Sequence, residues 1–184
     1  MKLEPHIKIY SGLNPSRAKQ EWNNEDLYSV KNLEEDLGSG TKSSPDVFKD
    51  SSLDLSDYKI KKGDLVLGMG RGLASIVSGP SSGKRLNSNF AKIILLDSSL
   101  DPWFLVYWFN ESPEIAKQNV LSLGRALYTP SAVQKLEINP PPIDIQQEIG
   151  SLYRLQCRQS QLLDLEKEKW RVLTLEAIRR VSSK

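Results

Sequence analysis

Residues 140–184 have the sequence PPPIDIQQEIGSLYRLQCRQSQLLDLEKEKWRVLTLEAIRRVSSK. No further proline follows the first three, and Gly150 is the single glycine, so the stretch can form a helix that prolines precede. Asp144 is a suitable N-cap, and Gln147 three residues later completes a capping-box pattern. At 1.5 Å per residue, a helix over 145–181 is roughly 55 Å long, far longer than the usual three or four turns. The sequence therefore predicts a fold organised around one long C-terminal helix.

The apolar residues of this helix recur three and four positions apart, which is the period of one helical face. The predicted contact residues on this face are Ile149, Leu152, Leu163, Trp170, Leu173 and Ala177. Gln156, Gln159 and Glu166 occupy intermediate positions of the same stripe, and polar residues in such a seam penalise a shift in register. We therefore expect the helix to pair with a second helix. A helix folded back on its own domain, or one that breaks at Gly150, is the alternative on periodicity alone.

The composition is that of an ordinary globular protein, with 39% hydrophobic and 26% charged residues in 184. Roughly 140 residues precede the long helix, which is ample for one core. The single cysteine, Cys157, excludes an intramolecular disulfide and a multi-cysteine metal site, and we expect it to be a small, buried or half-buried helix residue. No stretch resembles a signal peptide or a membrane span, so we expect a cytoplasmic protein.

Short strands mixed with helices precede the long helix, which predicts the α+β class with a globular domain built on a mixed sheet. The predicted strands are 6–10, 27–30, 65–67, 73–77 and 90–96, and 38–56 is expected to be a long loop. Asp101 and Ser112 each precede a proline, which is the pattern of an N-cap followed by the first helical residue. The helix after Asp101 is apolar on every side and should therefore lie in the core. A short third helix is predicted after Thr129.

Four features could suggest a catalytic, metal or nucleotide-binding site, but none of them matches such a motif. The loop 79–85 resembles a P-loop, but its glycines are one residue too close and Arg85 replaces the hydroxyl that holds magnesium. The segment GMGRG at 68–72 lacks the rest of the dinucleotide fingerprint, so we expect a tight turn that could present Arg71 to DNA. His6, the only histidine, has no nucleophile near it in the sequence, and the acidic cluster 34–36 is expected to be solvated. The sequence thus specifies no active site, metal site or cofactor.

Charge is unevenly distributed, although the net charge is only +2. Residues 21–58 carry ten acidic side chains against three lysines, whereas residues 59–92 carry seven basic side chains against one aspartate. Such segregation indicates a face that could meet a polyanion. Arginine and asparagine read base edges, lysine meets phosphate, and loops on a rigid sheet are where such readers are placed. The candidate DNA-binding residues in predicted loops and turns are Arg17, Lys19, Lys42, Arg71, Lys84, Arg85, Asn87, Asn89 and Arg125.

Several segments, taken in order, resemble the specificity subunits of type I restriction–modification systems. The most specific is LEINPPP at 136–142 followed by QQEI at 146–149, which is similar to the family's proline-rich junction into its long conserved helix. The others are GLNPSR at 12–17, LYSVKNL at 27–33, KGDLVL at 62–67, DPWFLVY at 101–107 and the turn at Gly124. Together they cover nearly the whole chain. The sequence Gly124-Arg125-Ala126 departs from the family's usual glycine-Ser/Thr turn, which puts any role there in doubt.

This resemblance implies a target recognition domain at 1–142 followed by a dimerisation or spacer helix at 143–184. A complete family member has two such halves with antiparallel helices, whereas this chain resembles one half. The resemblance therefore implies a half-length subunit that forms a homodimer through its helix. The alternative is a truncated or orphan relative of the family.

In the family, chemistry belongs to partner subunits, which methylate adenine with S-adenosylmethionine and cleave DNA with an ATP-driven motor. We therefore expect a non-catalytic protein that binds double-stranded DNA at a bipartite site, with methyltransferase subunits and a restriction motor subunit as partners and without a cofactor of its own. The alternative is a helical scaffold that keeps the recognition-domain fold but binds protein.

Overall fold

The computed structural model describes residues 1–14, 23–44, 47, 58–123 and 128–182. Within these ranges a four-stranded sheet has the order β1-β4-β2-β3 and consists of β1 (Ile7–Ser11), β2 (Leu65–Gly68), β3 (Leu73–Ile76) and β4 (Phe90–Leu95). The helices are α1 (Val30–Ser39), α2 (Pro102–Glu111), α3 (Pro113–Leu123), α4 (Pro130–Gln134) and α5 (Ile143–Ser182), with a short 3-10 helix at Asn24–Asp26.

The predicted α+β class is confirmed, but the four named strands pair antiparallel throughout rather than as a mixed sheet. Parallel pairing among the described residues is confined to isolated bridges, Leu13 with Asn87 and Leu27 with Arg85.

The sheet lies between two groups of buried side chains, because successive residues of a strand point to opposite faces. Leu65 and Leu67 of β2 belong to the larger core, which includes the buried residues of α2. Val66 between them belongs to a smaller core with Leu33 of α1 and Phe90 of β4. The prediction that α2 is a central buried helix is therefore confirmed, and Asp101 is its N-cap, as predicted.

The predicted strand at 27–30 is wrong, because Ser29 is the N-cap of α1. The Ser29 hydroxyl accepts the backbone N–H of Asn32, and the Asn32 side chain accepts the backbone N–H of Ser29. The helix ends at Gly40, whose φ of 62° is in the left-handed region that favours glycine. The helix therefore also takes up the start of the predicted loop 38–56, and much of the rest of that loop lies outside the described residues.

Asp36 is a fully buried carboxylate that joins α1 to the loop after β3. It accepts hydrogen bonds from the Tyr28 hydroxyl (2.7 Å), the Ser78 backbone N–H (3.1 Å) and the Ser81 hydroxyl (2.9 Å). Burial, and then the nearby Asp36 carboxylate, raise the pKa of Tyr28, so its hydroxyl stays protonated and donates. The expectation that the cluster 34–36 is solvated is therefore wrong for Asp36.

A second buried polar pair joins β4 to the turn before β2. The Lys92 Nζ lies 2.8 Å from the Asp64 Oδ2, and the two side chains are only 6% and 2% exposed. The same carboxylate oxygen accepts the backbone N–H of Lys61 (2.8 Å). Since buried charges are tolerated when paired and hydrogen-bonded, this contact fixes the turn against the sheet.

The long helix α5 runs without a break to Ser182, so the predicted helix is confirmed. It begins one residue before Asp144, which therefore lies in the first turn and is not the N-cap. Gln146, buried next to it, fixes the start of the helix. The Gln146 Oε1 accepts the backbone N–H of Asp101 (3.0 Å), and its Nε2 donates to the carbonyls of Ser99 and Pro141 (both 2.9 Å). One side chain thus ties the proline junction, α2 and α5 together.

Gly150 does not break α5 but lets it touch the start of α2. A β-carbon at this position would lie 2.6 Å from the Asp101 Oδ1 and 2.8 Å from the backbone nitrogen of Phe104. The two helices therefore approach at a distance that only glycine allows. Among the described residues, no helix is both long enough and apolar enough to cross a bilayer.

Candidate nucleic-acid interface

Five of the predicted DNA-binding residues lie in two segments that meet where β2 ends and β4 begins, with Lys84 at the far end of the second segment, hydrogen-bonded to Ile60. Arg71 is in the turn between β2 and β3, and the other four are in the segment 84–89 before β4. A backbone hydrogen bond joins the two loops, because the N–H of Met69 donates to the carbonyl of Asn89 (2.8 Å). The N–H of Asn89 in turn donates to the side-chain oxygen of Asn87 (2.9 Å). The loops therefore form one continuous surface.

A groove of about 470 Å³ opens on this surface. Arg71 and Asn89 line it together with Leu33, Phe90 and Tyr128. Apolar and aromatic walls with a few polar groups are typical of a binding groove. The groove therefore places one guanidinium and one amide beside apolar contact area.

The turn that carries Arg71 is held by Tyr128 and by a glycine. The N–H of Tyr128 donates to the carbonyl of Met69 (3.0 Å). Gly72 has a φ of 69°, and a β-carbon there would lie 2.2 Å from the Tyr128 ring. Only glycine therefore allows this backbone conformation together with the packed ring. The prediction of a tight glycine turn at 68–72 is confirmed.

The acidic and basic segments of the sequence meet at this surface. The Arg71 Nη1 lies 3.3 Å from the Glu34 Oε1, and the Arg85 Nη1 lies 3.8 Å from the Asp26 Oδ2. The Lys84 Nζ donates to a backbone carbonyl of the same acidic stretch (2.7 Å). The charge distribution along the sequence predicts a basic face that is separate from the acidic residues. The described basic residues of this surface do not form such a face, because they are paired with the acidic segment.

Lys42 lies apart from the groove. Val30, at the start of α1, lines the groove, whereas Lys42 follows the other end of this helix, about 15 Å away along its axis. Near Lys42, the Trp103 Nε1 donates to the carbonyl of Thr41 (2.9 Å). The structure therefore does not bring Lys42 to the other candidates. The remaining candidates, Arg17, Lys19 and Arg125, lie outside the described residues.

His6 lies beside Asp97 and Ser99, but not as in a catalytic triad. Its Nδ1 is 2.7 Å from the Asp97 Oδ2 and 3.1 Å from the Ser99 Oγ. Both partners meet the same ring nitrogen, whereas a triad uses the two nitrogens separately. Burial raises the pKa of Asp97, but hydrogen bonds from Ser99 and His6 outweigh it and hold the pKa below its ordinary value. No group of three possible metal ligands occurs in the described ranges.

The predicted pairing residues of α5 fall into two groups. Leu152, Leu163, Trp170 and Leu173 are each more than half exposed, and Ala177 is exposed as well. Ile149 instead is half-buried and packs against the core of its own domain. Every residue from 162 to 182 is exposed, so this half of the helix projects about 30 Å from the domain.

The α+β domain followed by one long helix is a fold found in specificity subunits of type I restriction–modification systems. One similar solved structure is the HsdS subunit from Thermoanaerobacter tengcongensis, with 16% identity and a TM-score of 0.51 over 91% of this chain and 39% of that chain. Another similar chain comes from a structure that describes the complex assembly and conformational transition of the type I R-M system. It has 17% identity and a TM-score of 0.54, over 94% of this chain and 40% of that chain. The chain thus spans about two fifths of the length of these structures. No protein-family model and no curated protein matches the sequence.

Proposed function

We propose that this chain is the DNA-specificity component of a type I restriction–modification assembly, and that it performs no chemistry itself. The observation that supports this role most strongly is the shared fold, in which a globular domain continues into a projecting forty-residue helix. In this proposal residues 1–142 recognise DNA and residues 143–184 pair the protomers. Methyltransferase subunits, and a restriction motor where the system has one, would supply the catalysis.

The proposed DNA-binding surface is the pair of loops around the groove. Arg71 presents its guanidinium from a turn that is fixed by backbone hydrogen bonds, and Asn89 is exposed beside it. These are the side chains that read guanine and adenine edges, and Lys84 in the same segment suits phosphate. Because the loops are already ordered, less conformational entropy is lost on binding.

The proposed homodimer forms through the projecting half of α5. Its apolar stripe is exposed to solvent, and an exposed stripe of this kind is stabilised by burial against a second helix. Antiparallel pairing centred near Val172 would bring Asp164 and Glu166 of one copy opposite Arg179 and Arg180 of the other. Opposite charges would then meet at both ends, which favours the antiparallel direction.

The test of this function is selection from random duplex DNA, with the full chain and its neighbouring methyltransferase subunit together. Enrichment of a two-part palindrome would establish both DNA specificity and a symmetric dimer. One asymmetric element would keep the recognition role but contradict the homodimer. Affinity should fall steeply with salt, because phosphate contacts release counterions. No enrichment at low salt would contradict the proposal and favour the protein-binding scaffold.

The dimer is tested separately by Leu163→Glu combined with Trp170→Glu. Two carboxylates in the seam should dissociate the dimer and leave the globular domain folded, since both side chains are more than half exposed. The control is Leu165→Glu combined with Val172→Glu, which adds the same charge at the same spacing on exposed positions of the opposite side of the helix. A sedimentation mass that is equal for both double variants and the original protein would contradict this architecture.

A further inference from the structure

Arg71 and Glu34 form an exposed donor–acceptor pair beside the groove. The Arg71 Nη1 and the Glu34 Oε1 are 3.3 Å apart, and the side chains are 71% and 54% exposed. Two different elements position the pair, since Arg71 is in the turn between β2 and β3 and Glu34 is in α1. A ligand at this surface therefore meets a cationic donor and an anionic acceptor side by side.

Both side chains can turn to a ligand without disturbing the elements that carry them. An exposed ion pair contributes little to stability. The turn is held by Tyr128, and α1 is held by the buried Asp36. Arg85, by contrast, is only 16% exposed and less available for contacts. Of the two described arginines in these loops, Arg71 is thus the one whose own side chain is exposed beside its carboxylate.

We propose that Arg71 and Glu34 together read one G·C base pair in the major groove of DNA, an inference that rests on the proposed function. Guanine presents the acceptors O6 and N7, which suit a guanidinium, and cytosine presents the N4 amino group, which suits a carboxylate. Guanine O6 and cytosine N4 are hydrogen-bonded to each other, so they are about 2.9 Å apart. This separation is close to the 3.3 Å between Nη1 and Oε1. The protein groups therefore match the base groups in charge and in spacing.

Glu34 makes this contact selective. At an A·T pair the guanidinium of Arg71 finds one acceptor on the purine, N7, instead of two. Where no amino group faces Glu34, its carboxylate meets acceptors and phosphates and is repelled by the charge of the duplex. Arg71 alone would bind any phosphate, whereas the pair favours one kind of base pair. Glu34 is thus a specificity-determining residue that weakens binding to other sequences.

The test compares the sequences selected by the original full chain, by Glu34→Ala and by Arg71→Ala, each with the methyltransferase subunit. We expect one selected G·C position to become degenerate in both variants, with discrimination there reduced roughly 5- to 150-fold. Glu34→Ala should also raise affinity for random duplex DNA, whereas Arg71→Ala should lower it. The matched control is Glu35→Ala, because Glu35 is on the same helix and similarly exposed but pairs with Lys31.

The variant Glu34→Gln retains the side-chain shape and provides a second measurement if the alanine variant folds poorly. Because an amide can contact adenine, it should extend the preference at this position to A·T. If the original protein selects a sequence and Glu34→Ala keeps every G·C preference within about twofold, the inference is overturned and the proposed function stands. If the original protein selects no sequence, the proposed function and this inference both fail.

Discussion

Replacing Gln146 by alanine should destabilise the whole protein, although the residue lies at the start of a helix whose second half is exposed. The side chain is buried and makes three hydrogen bonds, to the Asp101 N–H and to the carbonyls of Ser99 and Pro141. At about 1 kcal/mol each, these bonds amount to about 3 kcal/mol of the free energy of unfolding. For a chain of this length, that loss lowers Tm by about 6–12 °C. Thermal and urea unfolding followed by circular dichroism measure both quantities.

The neighbouring residue provides the control. Gln147 has the same side chain on the same helical turn but is exposed, so Gln147→Ala should change the free energy of unfolding by less than about 0.5 kcal/mol. If Gln146→Ala were as stable as Gln147→Ala, the three hydrogen bonds would not hold the junction. The reasoning that ties α5 to α2 through this side chain would then be refuted.

Four further predictions concern buried or paired groups. Asp36→Ala should lower the free energy of unfolding by about 3–5 kcal/mol in urea titrations, because it leaves several buried donors without an acceptor. Lys92→Met should cost about 3–5 kcal/mol, since it leaves the Asp64 carboxylate buried and unpaired, and adding Asp64→Asn should recover part of the loss. Burial raises the pKa of the Cys157 thiol, so a thiol reagent should modify it slowly in the folded protein and rapidly in urea; fast native labelling would contradict this. The pKa of Asp97 is held below its ordinary value of 3.8, so its contribution to stability is present above pH 3.8 and is lost as pH falls through the lower folded pKa. In the variant Asp97→Asn, the free energy of unfolding should not show this loss as pH falls below 3.8. Urea unfolding curves measured at several pH values in that range test this.

Local patterns were sufficient to predict most of the elements. The Asp101-Pro102 pair determines where α2 begins, and the absence of proline after Pro142 determines the length of α5, because both depend on neighbouring residues. The start of α1 was missed for a physical reason. Its capping box has Asn32 at the position where glutamate or glutamine is expected, so the segment 27–30 looked like a short strand.

The site could be predicted only in part, because its contacts join residues that are distant in the sequence. Arg71 was identified from the glycine turn around it, which is a local signal. Its partner Glu34 is 37 residues away and was read as one member of a solvated acidic cluster. Asp36, two residues further along, is buried because its donors Ser78 and Ser81 are supplied by a loop more than forty residues later. No pattern within a single segment distinguishes these two carboxylates.

The close contact at Gly150 also gives α5 the mechanical character of a lever with a fixed pivot. From Gly150 to Ser182 the helix is about 48 Å long at 1.5 Å per residue. A tilt of about 5° at the pivot would therefore displace the tip by about 4 Å, comparable with the rise of one base pair. A side chain at position 150 would overlap Asp101 and Phe104, so the two helices would have to separate at this point. The accuracy with which the far end of the chain is positioned thus depends on the absence of one methyl group near its start.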